Sequence, residues 1–202
     1  MEIDYLAFIS FIIITTFTPG PNNISSASMG ILYGYKASLR YLLGMVAGFF
    51  LVMALCGGVS TALLKIIPAI ENILHYIGAA YILWLAYHTF KASYNFEQED
   101  QKLLGFSNGF FLQLFNPKVI IYGLTLYSSF LGGIATRPMA LVVSAIALAL
   151  VGFCAISTWT LFGASIRKYL KHPRAKQVLN TALSLMLVFT AIELSGVMEL
   201  FT

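Results

Sequence analysis

A chain of 202 residues in which 59% are hydrophobic and only 10% are charged has a mean hydropathy of +0.84. Soluble domains carry about 25% charged residues, so this composition excludes an ordinary soluble fold and indicates an all-α integral membrane protein. The formal charge of +4 sits mainly in short connections between apolar runs, which fits membrane orientation and not nucleic-acid binding.

The sequence contains no phosphate-binding glycine loop and no polar segment large enough for an ATPase. No enzyme activity, cofactor or metal is therefore expected, and uphill movement would draw on another gradient or a partner chain. The opening Met1-Glu2-Ile3-Asp4 is acidic where a signal peptide would be basic. The first apolar run is thus expected to be retained as a span.

Crossing hydrocarbon takes about 20 helical residues, and by that measure the chain holds six spans. Span 1 covers about residues 5–33 and is interrupted by Phe17-Thr18-Pro19-Gly20-Pro21-Asn22-Asn23. Pro19 and Pro21 lack an N–H and Gly20 gives no steric guidance, so a helix cannot run through. A connection at 34–40 with Lys36 and Arg40 leads to span 2 at about 41–64, and span 3 covers about 70–90. The polar stretch 93–102 separates the halves. Span 4, about 106–131, carries a second break at Phe115-Asn116-Pro117-Lys118. Span 5 covers about 139–166, and span 6, about 178–200, follows a loop with Arg167, Lys168, Lys171, Arg174 and Lys176.

Nine Lys/Arg lie in the connections after spans 1, 3 and 5, against Lys65 and Arg137 on the opposite side. This positive-inside bias places both termini away from the cytoplasm. Three spans per half make the second half enter from the other side. The expected architecture is therefore one transmembrane domain over 1–202, with inverted pseudo-repeats at 1–92 and 103–202 and a linker at 93–102. Pro19 and Pro117 are 98 positions apart, as are Cys56 and Cys154. Overall identity at that offset is poor.

Matched interruptions in the two halves point to a transporter's binding site. Unpaired backbone at bilayer depth is tolerated only where it faces protein or a polar cavity. Each break starts a half-helix whose free N–H groups and positive dipole end suit a carboxylate. Asn116 is placed as N-cap, with Pro117 at the first helical position. The plainer alternative is a pair of kinks repaired by neighbouring side chains. The candidate substrate-binding residues are Pro19, Gly20, Pro21, Asn22, Asn23, Asn116, Pro117 and Lys118.

Lys118 is the basic residue placed deep in a span, where an unpaired ammonium costs at least about 2.5 kcal/mol. It either anchors a substrate carboxylate or titrates during transport, or it forms a structural ion pair, for which Glu193 is the available acid. Asn22 and Asn23 can hold an amino or hydroxyl group, or cap the second half of span 1. The Gly44/Gly48 and Gly30/Gly34 spacings allow close helix approach, within or between protomers. Trp159 suits an interfacial or core position. Cys56 and Cys154 could act as a thiol–disulfide relay across the membrane. Their apolar sequence neighbours favour small buried hydrophobes instead.

Thr18-Pro19-Gly20-Pro21-Asn22, Gly78-Ala79-Ala80-Tyr81-Ile82-Leu83-Trp84-Leu85 and Asn116-Pro117-Lys118 together resemble the LysE/RhtB amino-acid exporter family. Residues 18–24, 43–60 and 112–125 look most like its cysteine and O-acetylserine exporter branch. The resemblance implies a six-span bacterial inner-membrane protein, a homodimer, that exports small amino acids or derivatives in exchange for protons. Many relatives carry an acidic residue in span 5, whereas residues 139–166 contain no Asp or Glu. That departure leaves the proton-carrying residue unassigned and points to a small neutral substrate.

Overall fold

The computed structural model describes residues 5–63, 67–91, 103–134 and 137–195; the linker expected at 93–102 lies outside them. Among the described residues every regular element is helical. The chain runs α1 (Tyr5–Phe17), α2 (Pro21–Leu63), α3 (Ile67–Phe90), α4 (Phe106–Leu114), α5 (Pro117–Thr125), α6 (Pro138–Ile166) and α7 (Pro173–Leu194). A π-helical turn, Leu126–Phe130, extends α5, and a 3-10 turn, Arg167–Lys171, joins α6 to α7.

Three stretches, Pro21–Val59, Pro138–Leu170 and Pro173–Ile192, are long and apolar enough to cross a bilayer alone. Where spans 1 and 4 are expected the helix is split. α1 has 13 residues, and α4 and α5 have nine each, too short to cross singly. Leu6, Met139 and Val178 stand fully outward, as large apolar side chains do when hydrocarbon is their solvent.

The connection expected at 34–40 is not a loop. Only Gly34 leaves the helical region, with φ 78° and ψ 170°, and helix resumes at once, so Lys36 and Arg40 ride on its second arm. Glycine reaches positive φ without a Cβ clash, so a single residue redirects the chain. Ser38 Oγ donates to the Gly34 carbonyl at 2.8 Å. Arg174 and Lys176 likewise leave the expected loop for the first turns of α7, because Pro173 is preorganised to start a helix.

Lipid tails are as apolar as leucine, so close backbone approach, not hydrophobic collapse, drives helix packing in a membrane. The second arm of α2 lies so near α4 that a Cβ on Gly44 would meet the Phe106 carbonyl oxygen at 2.0 Å. A Cβ on Gly109 would meet that of Tyr41 at 2.2 Å. The first arm crosses α6 the same way, through Gly30 against Thr160 and Gly163 against Ala27. Three of the four spaced glycines thus serve contacts within one chain, while Gly34 serves the kink. α3 and α7 pair through Ala79, Ile82 and Ala86 against Leu183, Leu187 and Ala191, and Ser184 Oγ donates to the Ala86 carbonyl at 2.9 Å.

Cys56 is buried, its Sγ donating to the Ile120 carbonyl at 3.7 Å. Cys154, expected to be buried too, is exposed, because its position on α6 faces away from α2.

Candidate functional site

A broken helix leaves its last carbonyls without intrahelical partners, and at membrane depth each must be satisfied by protein. The end of α1 is served by side chains from four other helices. Asn23 Nδ2, in α2, donates to the carbonyls of Thr16 (2.9 Å) and Thr18 (2.8 Å). Trp159 Nε1, in α6, reaches the Phe17 carbonyl at 3.1 Å, and Thr190 Oγ1, in α7, reaches that of Pro19 at 2.9 Å. Lys118, at the start of α5, supplies the cation. Its Nζ lies 2.9 Å from Thr18 Oγ1, 3.2 Å from Thr18 O and 3.3 Å from Pro19 O.

The ammonium thus sits at the negative end of the α1 dipole. This is a fixed-charge role of a different kind from an ion pair with Glu193, whose side chain lies outside the described ones. Gly20 makes room for it: a Cβ there would lie 3.0 Å from Lys118 Cδ and 3.3 Å from Nζ.

The second break closes on itself. Asn116 is the N-cap of α5, its Oδ1 accepting from the Lys118 backbone N–H at 3.1 Å and its carbonyl from Val119 at 3.1 Å. Pro117 follows at the first helical position, where a missing N–H costs nothing. The cap consumes the free amides that sequence reasoning reserved for a carboxylate at this helix start. Asn116 Nδ2 then reaches across to Asn22 Oδ1 at 2.7 Å. At the start of α2 the situation differs. The Gly20 carbonyl accepts from Ile24 at 3.0 Å, but the backbone amides of Asn22 and Asn23 have no partner among the described residues.

All eight candidate residues therefore gather in one place. Six of them (Gly20, Pro21, Asn22, Asn23, Asn116 and Lys118) line a cavity, and Pro19 and Pro117 adjoin those that do. Its empty space amounts to about 530 Å³, open mouth included. The opposite wall is apolar, built from Phe49, Ala149, Gly152 and Ile156. Among the described residues Lys118 is the one charged lining residue, and no Asp or Glu is in the lining. Cation and helix start together make the cavity attractive to an anionic group. Among the described residues no cluster of His, Cys, Asp or Glu could hold a metal, and neither cysteine lines the cavity.

Sequence reasoning missed Thr190 and Trp159 as donors to the broken end of α1, and also Gln113 and Tyr122, which line the cavity. Gln113 and Thr190 carried a usable signal, being polar side chains inside apolar runs. Trp159 and Tyr122 carried none, since an aromatic in a span is ordinary.

Interrupted helices that meet at an interior polar cavity, under outer faces suited to lipid, define a membrane transport protein. The chain belongs to the family described as LysE type translocator, which matches residues 13–196. It is a translocator, not an enzyme. A protein of Salmonella typhimurium named cysteine/O-acetylserine efflux protein is 39% identical over 189 residues, 93% of this chain and 95% of its own. A protein of the same name in Escherichia coli K12 is 36% identical over the same shares. No solved structure matches.

Proposed function

We propose that this chain exports small neutral amino acids or derivatives of the cysteine and O-acetylserine kind from the bacterial cytoplasm, in exchange for protons. The observation that carries the substrate class is the 36–39% identity, over 93% of the chain, to proteins named for cysteine and O-acetylserine efflux. The cavity supports it. A zwitterion's carboxylate meets the open amides of Asn22 and Asn23 and the field of Lys118. Among the described residues no acidic one lines the cavity to hold a cationic side chain. Asn22 and Asn116, already bonded to each other, fix the two helix ends between which the substrate sits.

The architecture proposed around it is one domain over 1–202: six spans in two inverted repeats joined by 93–102, with both termini periplasmic in the inner membrane and two copies forming a homodimer. Its support is the same order in each half: a broken span, then two unbroken helices. Alternating access would then rock the halves about the contacts of Asn116 with Asn22 and of Lys118 with Thr18.

Everted membrane vesicles carrying the protein should accumulate labelled O-acetylserine and cysteine under an imposed proton gradient. Accumulation no greater than in empty vesicles, for every small neutral amino acid tried, would overturn the proposal. Asn116→Ala and Lys118→Ala should each lower the rate at least tenfold; full rates in both would remove the site from between the breaks.

A further inference from the structure

The polar side chains around the cavity divide into two groups. Those at the breaks use their hydrogen bonds on the protein itself: Asn23 on α1, Asn116 on Asn22, Lys118 on Thr18 and Pro19. Gln113 and Tyr122 do not. They are 2% and 4% exposed, and among the described residues Gln113 Oε1 and the Tyr122 hydroxyl have no hydrogen-bond partner. Thr16 is near enough to Tyr122 for its dipole to be felt, yet outside hydrogen-bonding geometry. Leaving such atoms buried and unbonded is costly, and a protein keeps that cost where a ligand relieves it.

Their placement fits a ligand. Gln113 is on α4, three residues before the N-cap Asn116, and Tyr122 is on α5, so the second break holds one on each leg. Both residues line the same cavity as Asn22 and Asn23. The open amides of Asn22 and Asn23 attract a carboxylate, whereas Gln113 Oε1 and the Tyr122 oxygen are acceptors and receive a donor. With no carboxylate among the described lining residues, these two neutral oxygens are the buried, unbonded acceptors available to a substrate ammonium.

We infer that Gln113 and Tyr122 bind the α-ammonium of the transported amino acid, and so set the requirement for a free amino group. The inference rests on the export reading above and adds to it the residues that recognise the amino end. Small side chains of the substrate would then lie against the apolar wall of Phe49, Gly152 and Ile156.

Two measurements test it. Gln113→Met keeps the length of the side chain and removes the amide, and Tyr122→Phe removes only the hydroxyl. Relative to wild-type vesicles, the KM for O-acetylserine should rise about tenfold or more in each variant, as loss of a hydrogen bond to a charged group requires. Wild type should ignore N-acetylserine as a competitor, and Gln113→Met should lose much of that discrimination. Independently of any substrate, both ligand-free variants should melt at or above the wild-type temperature, because an unrelieved polar group has gone. A clear fall in melting temperature would show these side chains to be structurally bonded and overturn the inference. Unchanged KM and discrimination in variants, beside an active wild type, would overturn it alone. A wild type that moves no amino acid would overturn the export reading and this assignment with it.

Discussion

Replacing Lys118 by methionine keeps most of the stem and removes the ammonium. In the wild type Nζ lies 2.9 Å from Thr18 Oγ1, 3.2 Å from Thr18 O and 3.3 Å from Pro19 O. Neither carbonyl is left bare by the change. Asn23 still donates to Thr18 O at 2.8 Å, and Thr190 still donates to Pro19 O at 2.9 Å. What is lost is charge-assisted bonding, about 1.5–3 kcal/mol, and a cation at a helix C-terminus, about 0.3–2 kcal/mol. Desolvation of the ammonium works against both, so the net loss should be about 1–3 kcal/mol. For a chain of this size that lowers the melting midpoint by roughly 2–12 °C, measured in lipid nanodiscs. Asn23→Ala combined with Lys118→Met does strip Thr18 O of both donors. The double variant should therefore lose more than the two singles added, by about 0.5–3 kcal/mol. An unchanged midpoint in Lys118→Met, or strict additivity in the pair, would refute the claim that this ammonium ties the two breaks together.

The remaining expectations concern packing and the cysteines. Gly44→Val forces α2 and α4 apart, since even a Cβ would meet the Phe106 oxygen at 2.0 Å, and should abolish folded protein by size-exclusion yield. Gly58→Ala, where nothing lies within 4 Å, should leave that yield unchanged. Gly34→Ala places a Cβ at φ 78° and should cost about 1–2 kcal/mol, read as a lower melting midpoint. Cys56→Ala with Cys154→Ala should leave O-acetylserine transport within about twofold of wild type, because neither thiol reaches the cavity. Loss of transport in that variant would revive the thiol-relay reading.

The breaks were legible because proline's missing N–H and glycine's freedom act locally, and so was the Asn116–Pro117 cap. That the breaks meet followed from needing to shelter open backbone in hydrocarbon. Who satisfies them did not follow. Asn23, Lys118, Trp159 and Thr190 converge from four helices, and no periodicity in one segment shows which distant carbonyl a donor will find. Lys118 shows the difference well: its depth in a span signalled that the ammonium needs polar surroundings, but not that the Thr18 and Pro19 carbonyls at the end of α1 supply them. Gly34 was misread for a related reason. A glycine kink and a polar turn look alike in sequence when Lys36 and Arg40 follow closely. Tyr122 was invisible and Gln113 legible only as a polar side chain in an apolar run, because the significance of both is the absence of a partner, a property of the folded neighbourhood and not of the residue.

The central claim is that the amino acid occupies the cavity between the two interrupted helices. It is tested most directly by placing Thr15→Cys, on the cavity lining, in a background lacking Cys56 and Cys154, and timing its alkylation in vesicles. The account predicts that saturating O-acetylserine slows the reaction several-fold while a large cationic amino acid does not. Alkylation at the same rate with and without O-acetylserine, in vesicles that transport it, would contradict the account.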